Sequence, residues 1–329
     1  MRLTCLVSFF LWSALLDSAT ELAIDGSRFT VDGKPTFLLG ASYYAGLGAN
    51  DEFVRGDLDD LQRFGFNWIR VWANWPAFDA SVAAIDAASG EPRQPFFHRL
   101  NALLEECDRR GIIVDVTLTR GGETDGAARI ATQADHQRVV VALVTMFKSQ
   151  LNWYLDLSNE RNIRDKRFTS IADLATLRAE VKRVDAKRLV TASHGGDISR
   201  EELREYLQTA QIDFVTPHRP RDSTSPAATE QNARQLAGWM RELGRVVPIH
   251  YQEPFRRGYG SWQPKAADYV RDLRGAIAGG AAGWCFHNGS ERKGPEEKPR
   301  RSFDLRERRL FDQLDDEERE ALKQLAATK

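Results

Sequence analysis

Two glutamates that follow apolar segments are the side chains in this sequence most able to do chemistry. Glu160 comes shortly after the segment Leu151–Ser158, and Glu253 ends the segment that begins at Val246. Two carboxyl groups can cleave a glycosidic bond when one protonates the departing oxygen and the other attacks the anomeric carbon, at a separation of ~5 to 5.5 Å in retaining enzymes. Because these glutamates are remote in sequence, such chemistry depends on a fold that brings them together.

Eight apolar segments with the character of β-strands alternate with amphipathic helices. The run Ile112–Leu118 is nearly continuous in apolar residues, as in parallel strands that are covered on both faces. Gly65, Gly111 and Gly244 each stand between a predicted helix and a predicted strand, where a left-handed C-cap is common. The eight predicted strands are Thr36–Tyr43, Phe66–Trp72, Gly111–Thr119, Leu151–Ser158, Arg188–His194, Ile212–His218, Val246–Glu253 and Ala281–His287.

Repeated strand–helix units predict either a closed barrel or a doubly wound sheet. The count of eight favours the barrel. So does Gly40–Tyr44, which carries two tyrosines where a nucleotide-binding sheet has a glycine-rich phosphate loop. The sequence therefore predicts an α/β fold, a (β/α)8 TIM barrel over about residues 36–288. Catalytic groups of such barrels lie at the C-terminal strand ends, so Glu160 on the fourth strand and Glu253 on the seventh are expected in one opening.

Composition and short sequence patterns predict the nature of the segments outside the barrel. Residues 1–19 combine one arginine, an apolar run and small terminal residues, which is typical of a secretory signal and predicts a secreted or periplasmic protein. Glu21–Lys34 predicts a short N-terminal β-hairpin, and residues 289–329 predict a polar loop followed by a C-terminal helix. Residues 20–329 are interpreted as a single catalytic domain, with no membrane span once the signal is removed.

The composition limits the partners and cofactors. The chain has 46 basic and 47 acidic residues, so it offers no overall field to attract nucleic acid, and a neutral oligo- or polysaccharide substrate fits better. The six histidines show no metal-ligand spacing, so neither a metal nor an organic cofactor is expected. Cys107 and Cys285 are interpreted as buried thiols, although spacing alone does not decide whether they pair.

Five motifs together resemble the clan A glycoside hydrolases, and among them most the cellulase and mannanase family, family 5. They are FTVDGKPTFLLG at residues 29–40, NWIRVW at 67–72, SNE at 158–160, HYQE at 250–253 and GW at 283–284. Any one of them alone is weak. The resemblance runs from Phe29 to Asn288 and implies a retaining hydrolase of β-linked glycan.

The resemblance implies roles for four residues at the strand ends. Glu160 would be the acid/base and Glu253 the nucleophile of a double displacement. Asn159 would contact the 2-hydroxyl of the sugar beside the nucleophile, a contact that should tighten in the transition state. Arg70 would keep Glu253 ionised by charge pairing.

The resemblance also assigns aromatic residues to substrate binding. Trp284 would form the apolar floor of the sugar subsite next to the scissile bond, and Tyr251 would hydrogen-bond near the nucleophile. Other large aromatic residues could line the cleft or pack in the core, and the sequence leaves both interpretations open. They are Tyr43, Tyr44, Trp72, Trp75 and Trp262.

The sixth strand departs from the family pattern. His218 matches the histidine expected there as a substrate contact, but the aromatic residue that commonly follows two positions later is replaced by a proline. The neighbouring Arg219 and Arg221 predict a cleft more basic than that of a plain cellulase. This departure motivates an alternative hypothesis, a non-catalytic sugar-binding barrel. A third hypothesis, a metal-dependent barrel hydrolase, predicts loss of activity with a chelator.

Overall fold

A computed structural model describes residues 19–75, 82–121, 129–259, 261–288 and 304–328 of the 329-residue chain. Its strands in chain order are β1 (Leu22–Asp25), β2 (Arg28–Val31), β3 (Lys34–Thr36), β4 (Leu38–Ser42), β5 (Trp68–Trp72), β6 (Asn74–Trp75), β7 (Val82–Ala83), β8 (Ile113–Thr117), β9 (Trp153–Asp156), β10 (Val190–Thr191), β11 (His194–Gly195), β12 (Pro217–His218), β13 (His250–Tyr251) and β14 (Gly283–Phe286). Its helices are α1 (Asp51–Arg63), α2 (Phe96–Arg109), α3 (Gln133–Met146), α4 (Ile171–Val184), α5 (Arg200–Arg204), α6 (Ser225–Glu242), α7 (Ala266–Gly279) and α8 (Asp316–Ala326).

The parallel strands close into a barrel. Seven of them form one sheet in the order β10-β9-β8-β5-β4-β14-β13, with every neighbouring pair parallel. The ring is completed because β11, which continues β10 after a short break, pairs in parallel with β12. Parallel bridges from Val215 to Ile249 and from His218 to Glu253 then connect the sixth strand to the seventh. The predicted (β/α)8 barrel is confirmed, with a helix after each strand position in the described residues.

Alternation along the strands separates two apolar layers. In β5, Ile69 and Val71 pack outward in the large cluster beneath the helices, whereas Trp68 belongs to a smaller cluster inside the barrel. The inner cluster gathers residues near the N-terminal ends of the strands, including Ile113 and Tyr154. Successive side chains point to opposite faces of a strand. A side chain one position further along a strand therefore lies in the layer beneath the helices instead of the barrel interior.

The N-terminal segment closes the lower end of the barrel. Strands β1, β2 and β3 form an antiparallel sheet, so the predicted hairpin is present with a third strand added. Phe29 is fully buried and packs edge-on against Phe214, with 5.0 Å between the ring centroids. This plug leaves the opposite end, where the strands terminate, as the open face of the barrel.

Local sequence explains where several helices begin and end. The side chain of Asn50 caps α1 by accepting from the Phe53 amide, and Thr132 with Asp135 forms a capping box at the start of α3. Gly65, Gly111 and Gly244 have φ values of 70°, 67° and 74°, which confirms the predicted left-handed C-caps. The predicted C-terminal helix is present as α8, which begins at Asp316 because Asp315 and Glu318 form a capping box at its start.

Several sequence expectations fall at the margins of the described chain. The predicted signal lies almost entirely in residues 1–18, and most of the predicted polar loop in residues 289–303, both outside the described residues. Cys107 and Cys285 are buried free thiols, as interpreted. Within the described part of the chain, no helix combines the length and apolar character required to cross a bilayer.

Candidate active site

The fold brings Glu160 and Glu253 together at the open end of the barrel. One carboxylate oxygen of each and a ring nitrogen of His218 all lie within 4.8 Å of one another. Both glutamates line a cleft of about 540 Å³, a volume in the range of small-molecule sites, ~300 to 1,000 Å³. Their proximity is close to the ~5 to 5.5 Å separation that a retaining glycosidase requires, and shorter than the ~6.5 to 9.5 Å of inverting enzymes.

The backbone holds Glu160 in an unusual conformation just beyond β9. Its φ of 46° lies in the left-handed region, which a residue other than glycine seldom adopts. The Glu160 amide donates to Ser193 Oγ at 3.0 Å, and the Asn159 amide donates to the Leu118 carbonyl at 2.8 Å. Neighbouring strand ends on both sides therefore stabilise the strained turn, as is common at functional sites.

Glu253 is buried among positive groups. Arg70 Nη1 donates to its Oε1, and Arg221 Nη2 donates to its Oε2 at 2.6 Å. Burial alone would raise the pKa of the Glu253 carboxyl, but His218, His287, Arg70 and Arg221 outweigh burial and hold this pKa well below its ordinary value. Burial lowers the pKa of His287 and so favours its neutral form. The two guanidinium groups stay positively charged, because arginine is not deprotonated in proteins. Glu253 is therefore an ionised carboxylate, as a nucleophile must be.

Glu160 lies in a similar but less enclosed environment. Its Oε1 is 3.2 Å from His218 Nδ1, and its Oε2 accepts from Arg167 Nη1 at 2.9 Å. Burial and the charge of Glu253 both act to raise the pKa of the Glu160 carboxyl. The hydrogen bond and charge of His218, together with the charge of Arg221, outweigh them and lower this pKa below its ordinary value. A general acid must be protonated to act, so these cations oppose that role at neutral pH.

The charges around the two glutamates predict an acidic pH optimum. The ratio kcat/KM reports the free protein, where the roles predicted from the sequence require Glu253 ionised and Glu160 protonated. Since both pKa values are lowered, kcat/KM should peak on the acid side of neutrality and fall as pH rises through the Glu160 pKa.

We expect Arg167→Gln, which removes a cation from Glu160, to move the basic limb of the kcat/KM profile to higher pH while the acid limb stays. Arg183→Gln, on the exposed face of α4, is the control. An unmoved basic limb would contradict the expectation.

Arg70 lies fully buried beneath the two glutamates. The Arg70 side chain has no exposed surface and contacts three carboxylates, with Nη2 2.9 Å from Asp156 Oδ2 and Nε 3.3 Å from Asp115 Oδ2 in addition to its bond to Glu253. It lies at the centre of β5, where its register partners are Ser42 and Asp115, so its side chain points into the barrel. Sequence reasoning placed Arg70 against Glu253, and the structure places it there.

Asn159 and His218 also lie where sequence reasoning expected them. Asn159 is buried at the edge of the cleft, and its Oδ1 accepts from Arg70 Nη2 at 3.0 Å. That bond occupies the acceptor end of the amide, and within the described part of the chain Nδ2 remains as a donor for a sugar hydroxyl. His218 sits between the glutamates, with Nδ1 3.6 Å from Glu253 Oε2.

The structure does not bring Tyr251 and Trp284 to the cleft. Both are fully buried in the layer between strands and helices, and they face each other across β13 and β14. Tyr251 Oη donates to Asn232 Oδ1 at 2.9 Å, and Trp284 Nε1 donates to Asp272 Oδ2 at 2.6 Å. Their expected substrate contacts are corrected for a physical reason: His250 and Gln252 occupy the barrel interior, so Tyr251 between them points outward.

Tyr44 takes the position that was expected for Tyr251. Its hydroxyl donates to Glu253 Oε1 at 2.7 Å, and its ring packs against Trp72 with 5.4 Å between centroids. Both residues line the cleft, which resolves the open choice for these two aromatics. By contrast, Tyr43 is buried against Asp57, and Trp262 packs against the core. The position of Tyr44 just after β4, the first barrel strand, was the available sequence signal.

Paired tyrosine variants test this exchange of roles. We expect Tyr44→Phe to lower kcat/KM by about tenfold or more, since a hydrogen bond to a charged group is worth ~1.5 to 3 kcal/mol. Tyr251→Phe should leave kcat/KM within about twofold and reduce the free energy of unfolding by about 1 kcal/mol, because only the bond to Asn232 is lost. Steady-state kinetics and urea unfolding measure both. Equal losses of activity in the two variants would show that the distinction is wrong.

Basic side chains dominate the walls of the cleft. Four of its described lining residues are arginines, namely Arg167, Arg219, Arg221 and Arg256, and the only carboxylates in that described lining are the two glutamates. His287 was not singled out from the sequence, although it ends the eighth predicted strand. It is buried with Nδ1 3.0 Å from Tyr44 Oη and Nε2 3.4 Å from Glu253 Oε2.

Among the described residues, Glu160, His218 and Glu253 form a group with the ligand types of a metal site. Protein ligands bind zinc at ~2.0 to 2.2 Å, so the three ligand atoms would have to draw together. Arg221 Nη2 lies 2.6 Å from Glu253 Oε2 and 3.6 Å from Glu160 Oε1, at the place a cation would take. The arrangement does not fit a metal ion, and independence from metal stays a prediction that a chelator tests.

Of the comparisons with known proteins, the one with solved structures supports the barrel architecture. No protein-family model matches the chain, and no curated protein matches it. Among solved structures, a family 5 glycoside hydrolase mannosidase from Rhizomucor miehei is similar with a TM-score of 0.70 and 15% identity, over 94% of this chain and 97% of that one. An endo-1,4-beta-mannanase from the same organism has a TM-score of 0.67 and 15% identity, over 93% and 98%.

A bacterial structure extends the same likeness. A family 5 glycoside hydrolase from Bacteroides vulgatus is similar with a TM-score of 0.69 and 15% identity, over 94% of this chain and 71% of that one. At such low identity the likeness concerns backbone architecture. The chain has the (β/α)8-barrel fold of these glycoside hydrolases.

Proposed function

We propose that the protein is a retaining glycoside hydrolase that cleaves β-linked glycan. One observation supports this above all: one carboxylate oxygen of Glu160, after the fourth strand, and one of Glu253, on the seventh, lie within 4.8 Å of each other in a cleft at the open end of the barrel. That spacing leaves room for an anomeric carbon and its departing oxygen between the two groups, but not for an additional water. The fold shared with glycoside hydrolases agrees with the proposal.

In the first step a Glu253 oxygen attacks the anomeric carbon and forms an ester bond to it. The bond from that carbon to the departing oxygen breaks, and Glu160 transfers its proton to this oxygen. In the second step Glu160, now a carboxylate, takes a proton from water as the water attacks the anomeric carbon. The ester bond breaks, Glu253 regains its charge, and the sugar leaves with its original configuration.

The surrounding residues support each step. Arg70 and the Tyr44 hydroxyl bind Glu253 Oε1 and orient the carboxylate. The free donor of Asn159 is suited to the sugar 2-hydroxyl, where a hydrogen bond that strengthens in the oxocarbenium-like transition state lowers the barrier. The ring of Trp72 offers an apolar face beside Tyr44 for the sugar. We propose an oligo- or polysaccharide outside the cytoplasm as the substrate, in keeping with the predicted signal.

Covalent trapping tests the proposal directly. A 2-deoxy-2-fluoro β-glycosyl fluoride forms the glycosyl-enzyme with a good leaving group, while its fluorine slows the hydrolysis of the ester. We expect intact-protein mass spectrometry to show one added glycosyl group, and peptide mapping to place it on Glu253. Gluco-, manno- and galacto-configured reagents are needed because the configuration of the sugar is open.

The same experiment separates the alternatives. A non-catalytic sugar-binding barrel would bind the reagents without a mass increase, and attachment to a residue other than Glu253 would refute the assigned nucleophile. Turnover of aryl β-glycosides in the presence of a chelator covers the metal-dependent alternative. We expect turnover to persist there, because no step of the proposed mechanism uses a metal.

A further inference from the structure

The feature that a simple cleavage mechanism leaves unexplained is Arg221. Its Nη2 lies between the two glutamates, 2.6 Å from Glu253 Oε2 and 3.6 Å from Glu160 Oε1. A sugar can react only if its anomeric carbon reaches a Glu253 oxygen and its departing oxygen reaches Glu160. Because the guanidinium occupies this space, Arg221 has to withdraw before a substrate can react.

Withdrawal separates Arg221 from the anions that it contacts. Among the described residues its ion pairs are with Glu160 and Glu253, and its side chain is only 15% exposed, so water compensates the charge poorly. The proposed mechanism removes each of those charges at one stage, because Glu160 must be protonated to act as the acid and Glu253 becomes an ester. A neutral substrate would therefore leave a largely buried cation without its counter-charge.

A second arginine, Arg256, lies near the same tyrosine ring as Arg221. The guanidinium carbons of Arg221 and Arg256 are 4.5 and 5.0 Å from the centroid of the same ring, that of Tyr259. All three residues line the cleft, and Tyr259 is exposed. Two like charges held near one ring repel each other, and an anion that contacts both would remove this cost. Planar guanidinium groups also match carboxylate and sulfate oxygens in geometry.

We propose that the cleft selects a glycan with an anionic substituent, a carboxylate or a sulfate ester, which Arg221 and Arg256 bind beside Tyr259, and that this anion draws Arg221 away from Glu253. The inference rests on the proposed glycosidase function and names its substrate class. The anion gives Arg221 a new partner at the moment when the Glu253 oxygen is required for attack. Sugars without an anion leave Arg221 in place and react slowly.

Matched pairs of trapping reagents test the proposal. The 2-deoxy-2-fluoro β-glycosyl fluorides of glucose, mannose and galactose are each compared with the corresponding uronic acid and with the 6-sulfated sugar. We expect an anionic member to label Glu253 about 10- to 100-fold faster than its neutral partner, the range that a hydrogen bond to a charged group supports. The advantage should shrink as salt is added, because screening weakens the attraction. The uronate and sulfate arms identify which anion is preferred.

Two arginine variants add readouts that a structural defect would not produce. Arg256→Gln should remove most of the preference for the anionic reagent, so that the ratio of the anionic to the neutral labelling rate falls towards one. Arg221→Gln should slow the anionic reagent and accelerate the neutral one, since the obstruction is gone. Arg234→Gln, on the exposed side of α6 and paired with Glu230, is the matched control and should behave as the unaltered protein.

The outcomes distinguish this inference from the function on which it rests. Labelling of Glu253 that is as fast with every neutral sugar as with its anionic partners would overturn the inference and leave the glycosidase standing. Absence of labelling by any reagent would refute the glycosidase.

Calorimetric titration of the intact protein with methyl β-glucuronide, methyl β-glucoside and methyl β-glucoside 6-sulfate then tests the anion site by itself. Salt-sensitive binding of an anionic glycoside that Arg256→Gln abolishes would support it, and equal binding of all three would refute it.

Discussion

Replacing Glu253 with alanine is expected to lower kcat/KM on aryl β-glycosides by at least about 10⁴-fold, since loss of a covalent nucleophile removes the reaction path itself. Glu160→Ala should cost about 10² to 10⁴-fold, the usual contribution of general acid–base catalysis. The Glu160 loss should be smaller for leaving groups that need no proton. Glu230→Ala, which removes a half-exposed carboxylate on α6, is the control and should keep full activity.

Added azide tests which glutamate has which role. In Glu160→Ala the glycosyl-enzyme can still form on Glu253, so azide should attack it and give a glycosyl azide of retained configuration. In Glu253→Ala azide can enter the vacated space and attack the substrate directly, which gives the inverted azide. Nuclear magnetic resonance distinguishes the two anomers. Glu253→Gln keeps the side-chain volume if the alanine variant folds poorly. The same anomer from both alanine variants would contradict the assignment.

Replacing Arg70 with methionine is expected to have the largest effect on stability. The change removes the charge that Asp115, Asp156 and Glu253 share in a site without solvent exposure, and breaking a buried ion pair costs about 3 to 5 kcal/mol. The fall should be visible in the free energy of unfolding measured with urea. Loss of the guanidinium also removes a cause that lowers the Glu253 pKa.

The pH dependence separates the two roles of Arg70. Glu253 must be ionised to attack, so a higher Glu253 pKa moves the acid limb of kcat/KM to higher pH in Arg70→Met. Arg70→Lys keeps one positive charge and should show a smaller shift, and it serves if the methionine variant does not fold. Arg188→Met is the matched control, since Arg188 is buried but bonds backbone carbonyls outside the cleft. It should lower stability without moving the acid limb. An unchanged acid limb in both Arg70 variants would refute the role of Arg70 in ionising Glu253.

Much of the architecture was predictable because it depends on local patterns. Continuous apolar runs, helical spacing and glycine C-caps each depend on a few consecutive residues, and they predicted the order of strands and helices. The same patterns placed Glu160, Glu253 and Arg70 at or near strand ends that a barrel brings together. The ends of the strands were less predictable, because the pairing of remote segments determines where each strand stops. The fifth predicted strand, for example, is broken between Thr191 and His194.

The sequence by itself determined the barrel, the glutamate pair and the arginine beneath them. Only the tertiary structure decided which side chains other than Arg70, Asn159 and His218 surround that pair. Tyr251 and Trp284 point away from the cleft because adjacent side chains on a strand face opposite sides of the sheet. The register of the strands determines which side each of them faces. Tyr44, Arg221 and His287 reach Glu253 from three other strand ends. No local pattern encodes contacts between such remote segments, because they arise only when the barrel closes and sets the direction of each side chain.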